Sequence, residues 1–115
     1  MDRVRFIEHK GRQVLMADLS GLRDPDEMIA VMEASRPVID GQPPKSLLLL
    51  TNCIDTHYEA KGAEAIKQWS KQNTPFVKAS VVTGVVGLKR ILFQAVIKLT
   101  GRNIAALDTV DQALD

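Results

Sequence analysis

The sequence predicts an α/β protein: a mixed, mostly parallel five-stranded sheet with an antiparallel edge hairpin, in the order β-β-α-β-α-β-α-β-α. Three observations carry this. Short β-prone runs alternate with segments of helical period, an order that requires crossover connections and hence parallel strands. The run Leu47-Leu-Leu-Leu-Thr51 is apolar on every position and closed off by Pro44 and Asn52, as a central strand covered on both faces is. Two further β-prone runs, 3–9 and 12–19, are separated only by Lys10-Gly11, which reads as a tight hairpin. The 115 residues fit one domain, spanning 1–115, that buries enough surface to fold without a disulfide or a metal.

The remaining elements follow in order. Ser20-Gly21 breaks the second strand, and Asp24-Pro25-Asp26-Glu27 starts a helix: Asp24 caps, Pro25 suits the first helical position, and Glu27 stands where a capping box wants an acid. Met28, Val31, Met32, Ser35 and Ile39 fall on one inward stripe, and Pro37 is expected to kink or end the helix before Gly41-Gln-Pro-Pro44. After the central strand a second helix is expected from Thr56 to Asn73, with Tyr58, Gly62, Ala65, Ile66 and Trp69 inward. Phe76 to Thr83 reads as a β-branched strand. A third helix follows over 86–100, with Gly101 as its C-cap. Ile104-Ala-Ala-Leu107 reads as a short last strand, and a terminal helix begins at Asp108.

Charge is segregated along the chain. Residues 1–55 carry a net −2, residues 56–103 a net +6 and residues 104–115 a net −3, and no acid occurs between Glu64 and Asp108. Such a distribution either builds a positive face that attracts anionic partners or balances out across the folded surface. A single cysteine, Cys53, excludes an intrachain disulfide, and with only His9 and His57 no Cys/His zinc cage is available. No apolar run is long enough for a membrane-spanning helix. The opening Met-Asp-Arg-Val-Arg lacks an apolar signal core, so a cytoplasmic location is expected.

The element order, together with Ser80-Val-Val-Thr-Gly-Val-Val-Gly-Leu-Lys89 and the stretch from Gly101-Arg-Asn-Ile to Ala113-Leu114, resembles the STAS domain, the anti-sigma-factor-antagonist fold. More narrowly it is similar to the small bacterial family of that type that is also compared with the lipid-carrying CRAL-TRIO domain. In anti-sigma-factor antagonists the loop after the central strand carries Asp-Ser-Ser-Gly, whose serine is phosphorylated by a partner kinase. The corresponding place here reads Ile54-Asp55-Thr56-His57-Tyr58. The resemblance therefore implies a phosphoacceptor loop at Asp55 and Thr56, which match the acid and the hydroxyl, although the Ser-Gly that follows them is absent.

Three places carry candidate chemistry. The loop around Asp55 and Thr56 lies where a parallel strand gives way to a helix, the usual ligand position of open α/β sheets; the same two residues also make ordinary helix caps. Cys53 beside them is either a thiol activated by that helix or a small core residue. Gly84-x-x-Gly87-x-Lys89 follows a strand and opens a helix, so Gly84, Gly87 and Lys89 form a candidate anion-binding turn; its spacing is not that of a P-loop, and a turn that needs glycine for its backbone explains it equally.

The third helix supplies the remaining signal. Leu88, Ile91, Leu92, Ala95 and Leu99 form one stripe, expected to face the sheet. Val86, Phe93 and Ile97 form another nearly opposite, which wants a cover of its own: a second subunit, a partner protein, a lipid or the terminal helix. Taken together, the residues predict a non-catalytic regulatory or interaction module without a cofactor, a homodimer through Val86, Phe93 and Ile97, with a regulatory protein partner or a small anionic ligand. A lipid or hydrophobic-ligand binding domain, which needs a cavity beneath mobile helices and with which Met28, Met32 and the two-striped third helix are compatible, is the alternative. No Ser-His-Asp set, metal cluster or carboxylate pair favours an enzyme, and five aromatic residues leave few rings to stack on bases, so no nucleic-acid partner is expected.

Overall fold

The computed structural model describes residues 3–56, 60–84, 89–101 and 104–107, which form five strands and three helices. They are β1 (Val4–His9), β2 (Arg12–Asp18), α1 (Pro25–Asp40), β3 (Leu47–Asn52), α2 (Ala60–Asn73), β4 (Val77–Thr83), α3 (Lys89–Thr100) and β5 (Ile104–Leu107). The sheet order is β1-β2-β3-β4-β5, with β1 and β2 antiparallel and every later pair parallel. The α/β class and the mixed sheet with its edge hairpin are those the sequence predicts. The terminal helix expected from Asp108 lies outside the described residues.

Local chemistry explains the elements. Lys10 and Gly11 both have positive φ, 52° and 78°, the twist a two-residue turn needs to match its flanking strands. The Asp24 side chain accepts from the Asp26 amide at 2.9 Å, capping α1 as expected, and Asp26 and Glu27 place negative charge at the positive end of the helix dipole. Pro37 does not end α1, which continues to Asp40. It sits in the last turn, and its carbonyl accepts from Gly41 at 3.2 Å to finish the helix.

Because β2 to β5 are laid down in sequence order, each crossover carries its helix to the same face of the sheet. The three helices lie side by side there, α1 over the β1–β2 end, α2 in the middle and α3 toward β5. Leu15, Ala17 and Leu19 from β2 and its end, Leu47 and Leu49 from β3, Met28, Val31, Met32 and Ile39 from α1, and Ile66 and Trp69 from α2 make one core. Met16 and Leu50, on the alternate strand positions, are just as buried. The apolar β3 run is thus buried on both faces, with the described helices supplying one of the two covers.

At the α1–α2 seam the Trp69 indole donates to Ser35 Oγ at 2.8 Å, and Ser35 donates in turn to the Met32 carbonyl at 2.6 Å. Gly62 is what lets the helices approach, since a β-carbon there would stand 3.0 Å from Met28 Cε.

Candidate functional site

Ligands of open α/β sheets gather at the carboxyl ends of the strands. Here those ends are tied together by side chains. Asp18, Asn52 and Thr83 occupy matching positions on β2, β3 and β4. Asn52 Oδ1 accepts from Thr83 Oγ1 at 2.8 Å and from the Ile54 amide at 3.2 Å, while its Nδ2 donates to Asp18 Oδ1 at 3.4 Å. Asp18 also accepts from the Ser20 amide at 3.0 Å, and Arg3 donates to the carbonyls of Asp18 and Ser20. Every hydrogen bond in this row fastens a strand end or the loop beyond it. The period-2 alternation of β3 hides Asn52 at the end of an apolar run, so sequence reading took it as a strand breaker and not as the central link.

The expected phosphoacceptor loop is built on the same row. Asp55 is exposed and adopts a left-handed conformation, φ 58°. Thr56 turns inward: it is only 5% exposed, and its hydroxyl donates to the Leu19 carbonyl at 2.6 Å. A hydroxyl held this way bridges the loops that follow β2 and β3. Its amide meanwhile donates to the Cys53 carbonyl at 3.2 Å. Cys53 is buried within the core cluster, the position of a small packing residue. α2 begins at Ala60 in the described residues, and His57 and Tyr58 lie outside them.

Of the expected anion-binding turn, Gly84 is described, Gly87 lies outside the described residues, and for Lys89 the backbone alone is described, as the first residue of α3. Gly84 has φ 79°, and a β-carbon on it would fall 2.6 Å from the Ile54 Cα and amide nitrogen. The glycine is required where two loops press backbone to backbone, a sufficient reason for it without any ligand.

The face of α3 differs from its expected one. Val96 is the buried centre, with Leu92, Phe93, Ile97 and Thr100 half-buried around it. Ile91 is 69% exposed and Leu99 41% exposed, so two members of the stripe assigned to the sheet point outward, and the expected interface residues Phe93 and Ile97 sit partly in the protein. Val86, the third expected interface residue, lies outside the described residues. The spacing held a signal that decides the matter: Arg90, Gln94 and Lys98 form one row at four-residue intervals, and all three are exposed. A polar row fixes the outer face where two apolar arcs compete for the inner one. Ile91, half-buried Ala95 and Leu99 form the neighbouring row, giving α3 an outer surface of aliphatic side chains beside two cations.

The electrostatics of this surface are one-sided. Arg90 and Lys98 make no ion pair among the described residues, and the first turn of α3 contains Lys89 and Arg90 with no acid. Cations at the start of a helix add to the positive end of its dipole, and such a surface favours an anionic neighbour.

Among the described residues no three His, Cys, Asp or Glu stand together as a metal site would need, and no helix is long and apolar enough to cross a membrane. Comparison with protein-family models, curated proteins and solved structures gives no match to this chain.

Proposed function

We propose that the protein is a non-catalytic interaction module whose working surface is the outer face of α3. The observation that carries this is the exposed pair Ile91 and Leu99 beside the cations Arg90 and Lys98, which make no ion pair among the described residues. Covering each of these aliphatic side chains contributes up to about 1.5–3 kcal/mol, and the cations select what covers them. The α3 surface replaces the Phe93–Ile97 arc as the docking site and keeps the expected regulatory role.

An acidic protein surface is favoured over a lipid surface. A single myristoyl chain holds a protein on a bilayer only marginally, and two partly exposed aliphatic residues bury less than that. Small anions near the N-terminus of α3 belong to the same reading, because they would be attracted by the same field. The likeness of element order to the STAS domain supports a regulatory role.

Photocrosslinking tests the reading. With benzoylphenylalanine in place of Ile91, the expected outcome is a protein adduct of discrete mass in living cells, absent when the same group replaces exposed Lys71 on α2. Adducts to lipid alone, or the same pattern at both positions, overturn it.

A further inference from the structure

The described residues contain three exposed large hydrophobic side chains: Phe6, Ile91 and Leu99. They fall at the two ends of one helical layer. Ile91 and Leu99 stand on α3, over the β4–β5 end of the sheet. Phe6 pairs with Leu15 across the hairpin, so it lies on the helix-bearing face at the opposite edge, on the strand beside α1. Charge divides the same way. The exposed side of α1 carries Glu27 and Glu33, which make no ion pair among the described residues, whereas Asp26 is taken by Lys61 at 2.6 Å and Asp40 by Arg36 at 2.9 Å. Between those two glutamates the outer surface of α1 is Ala30 and half-buried Ala34, small residues that let another helix come close.

From this we infer that the occupant of the α3 surface is the α1 end of a second copy of this chain, a head-to-tail contact in which Ile91 and Leu99 lie against Ala30, Ala34 and Phe6 while Arg90 and Lys98 meet Glu27 and Glu33. The inference rests on the interaction reading above and names its partner. A symmetric α3-to-α3 dimer would set Arg90 and Lys98 against their own copies, a like-charge arrangement that costs affinity. The head-to-tail pairing neutralises both surfaces. It does not use up all of its sites, since the pair keeps one free α1 end on one copy and one free α3 end on the other, and it therefore extends to a ring or an open chain. A contact built on one helix from each copy is smaller than the roughly 800 Å² per partner of stable complexes, so association is weak, rising with concentration and falling with salt.

Sedimentation of the full chain at low salt decides it, using two charge-reversed variants and their mixture. Arg90→Glu with Lys98→Glu removes the α3 end, and Glu27→Lys with Glu33→Lys removes the α1 end. All four residues are exposed, and unchanged circular dichroism melts establish that both variants fold. The expected result is that wild type populates species larger than dimer, each variant alone sediments as a monomer, and their equimolar mixture regains species larger than dimer, because every end of one variant then meets an oppositely charged end of the other. Ile91→Ser repeats the loss without altering charge. A wild type that is monomeric throughout, a fixed dimer that either variant retains, or a mixture that stays monomeric overturns the inference. If the Ile91 photocrosslink captures a different protein while wild type stays monomeric, the interaction reading stands and only the self-association falls.

Discussion

Single residues in this protein are constrained most tightly where two loops meet. Gly84 combines a left-handed backbone with a separation that leaves no space for a β-carbon beside Ile54. Gly84→Ala is expected to lower unfolding stability by at least about 1–2 kcal/mol from the backbone alone, with the steric contact adding to it. Urea denaturation measures this, and an unchanged midpoint contradicts the account of that turn. Lys61 supplies a pH-dependent counterpart. Its hydrogen bond to Asp26, and then the charge of the same carboxylate, raise its pKa above the ordinary 10.5. A raised pKa means that the ion pair's contribution is fully present below 10.5 and is lost as pH climbs through the folded value. The pair is solvent-exposed, so the effect is small. Thermal melts of Lys61→Gln and wild type should differ slightly near neutral pH and converge once the pH has passed the raised pKa of Lys61. A difference that persists there contradicts the assignment. Residues of this kind were partly legible: the glycine at 84 was read as a turn, but the nearness of Ile54 is a tertiary fact that no spacing encodes.

Among the elements, the α1–α2 seam shows how a helix face acquires its polar members. Ser35 was placed on the inward stripe of α1 by spacing alone, and Trp69 on that of α2; their hydrogen bond is what allows a serine and an indole nitrogen to be buried together. A double-mutant cycle with Ser35→Ala and Trp69→Phe should return a coupling of about 0.5–1.5 kcal/mol. Strict additivity would mean that the bond contributes nothing. The same periodicity misassigned α3 because Leu88, Ile91 and Leu99 are as apolar as Phe93 and Ile97. Two apolar arcs leave the direction of the hydrophobic stripe undetermined, and the exposed row of Arg90, Gln94 and Lys98 is the feature that determines it. Pro37 falls in the final turn of α1, so the stop that it signals and the end of the helix at Asp40 nearly coincide. The hairpin, the Asp24 cap and the central β3 run were readable because each depends on chemistry within a few residues of itself.

At the scale of the whole molecule, strand order does what no single segment reveals. A sheet laid down in sequence order collects α1, α2 and α3 on one face and sets α1 and α3 at opposite ends of it. The two outer helices thereby set opposite charges apart, with Glu27 and Glu33 of α1 at one end of the layer and Arg90 and Lys98 of α3 at the other. The sequence reading saw the segregation and the need for a cover on the third helix, but a symmetric dimer and a head-to-tail contact look identical until the ends are placed. The most direct measurement is site-directed disulfide trapping between Ala30→Cys and Ile91→Cys proteins, with Cys53 buried in both. Mixed under mild oxidation at low salt, the two should yield a mixed disulfide dimer that neither forms alone and that high salt suppresses. Homodimers of the Ile91→Cys protein in equal or greater yield, or no crosslinked species in the mixture, would contradict it.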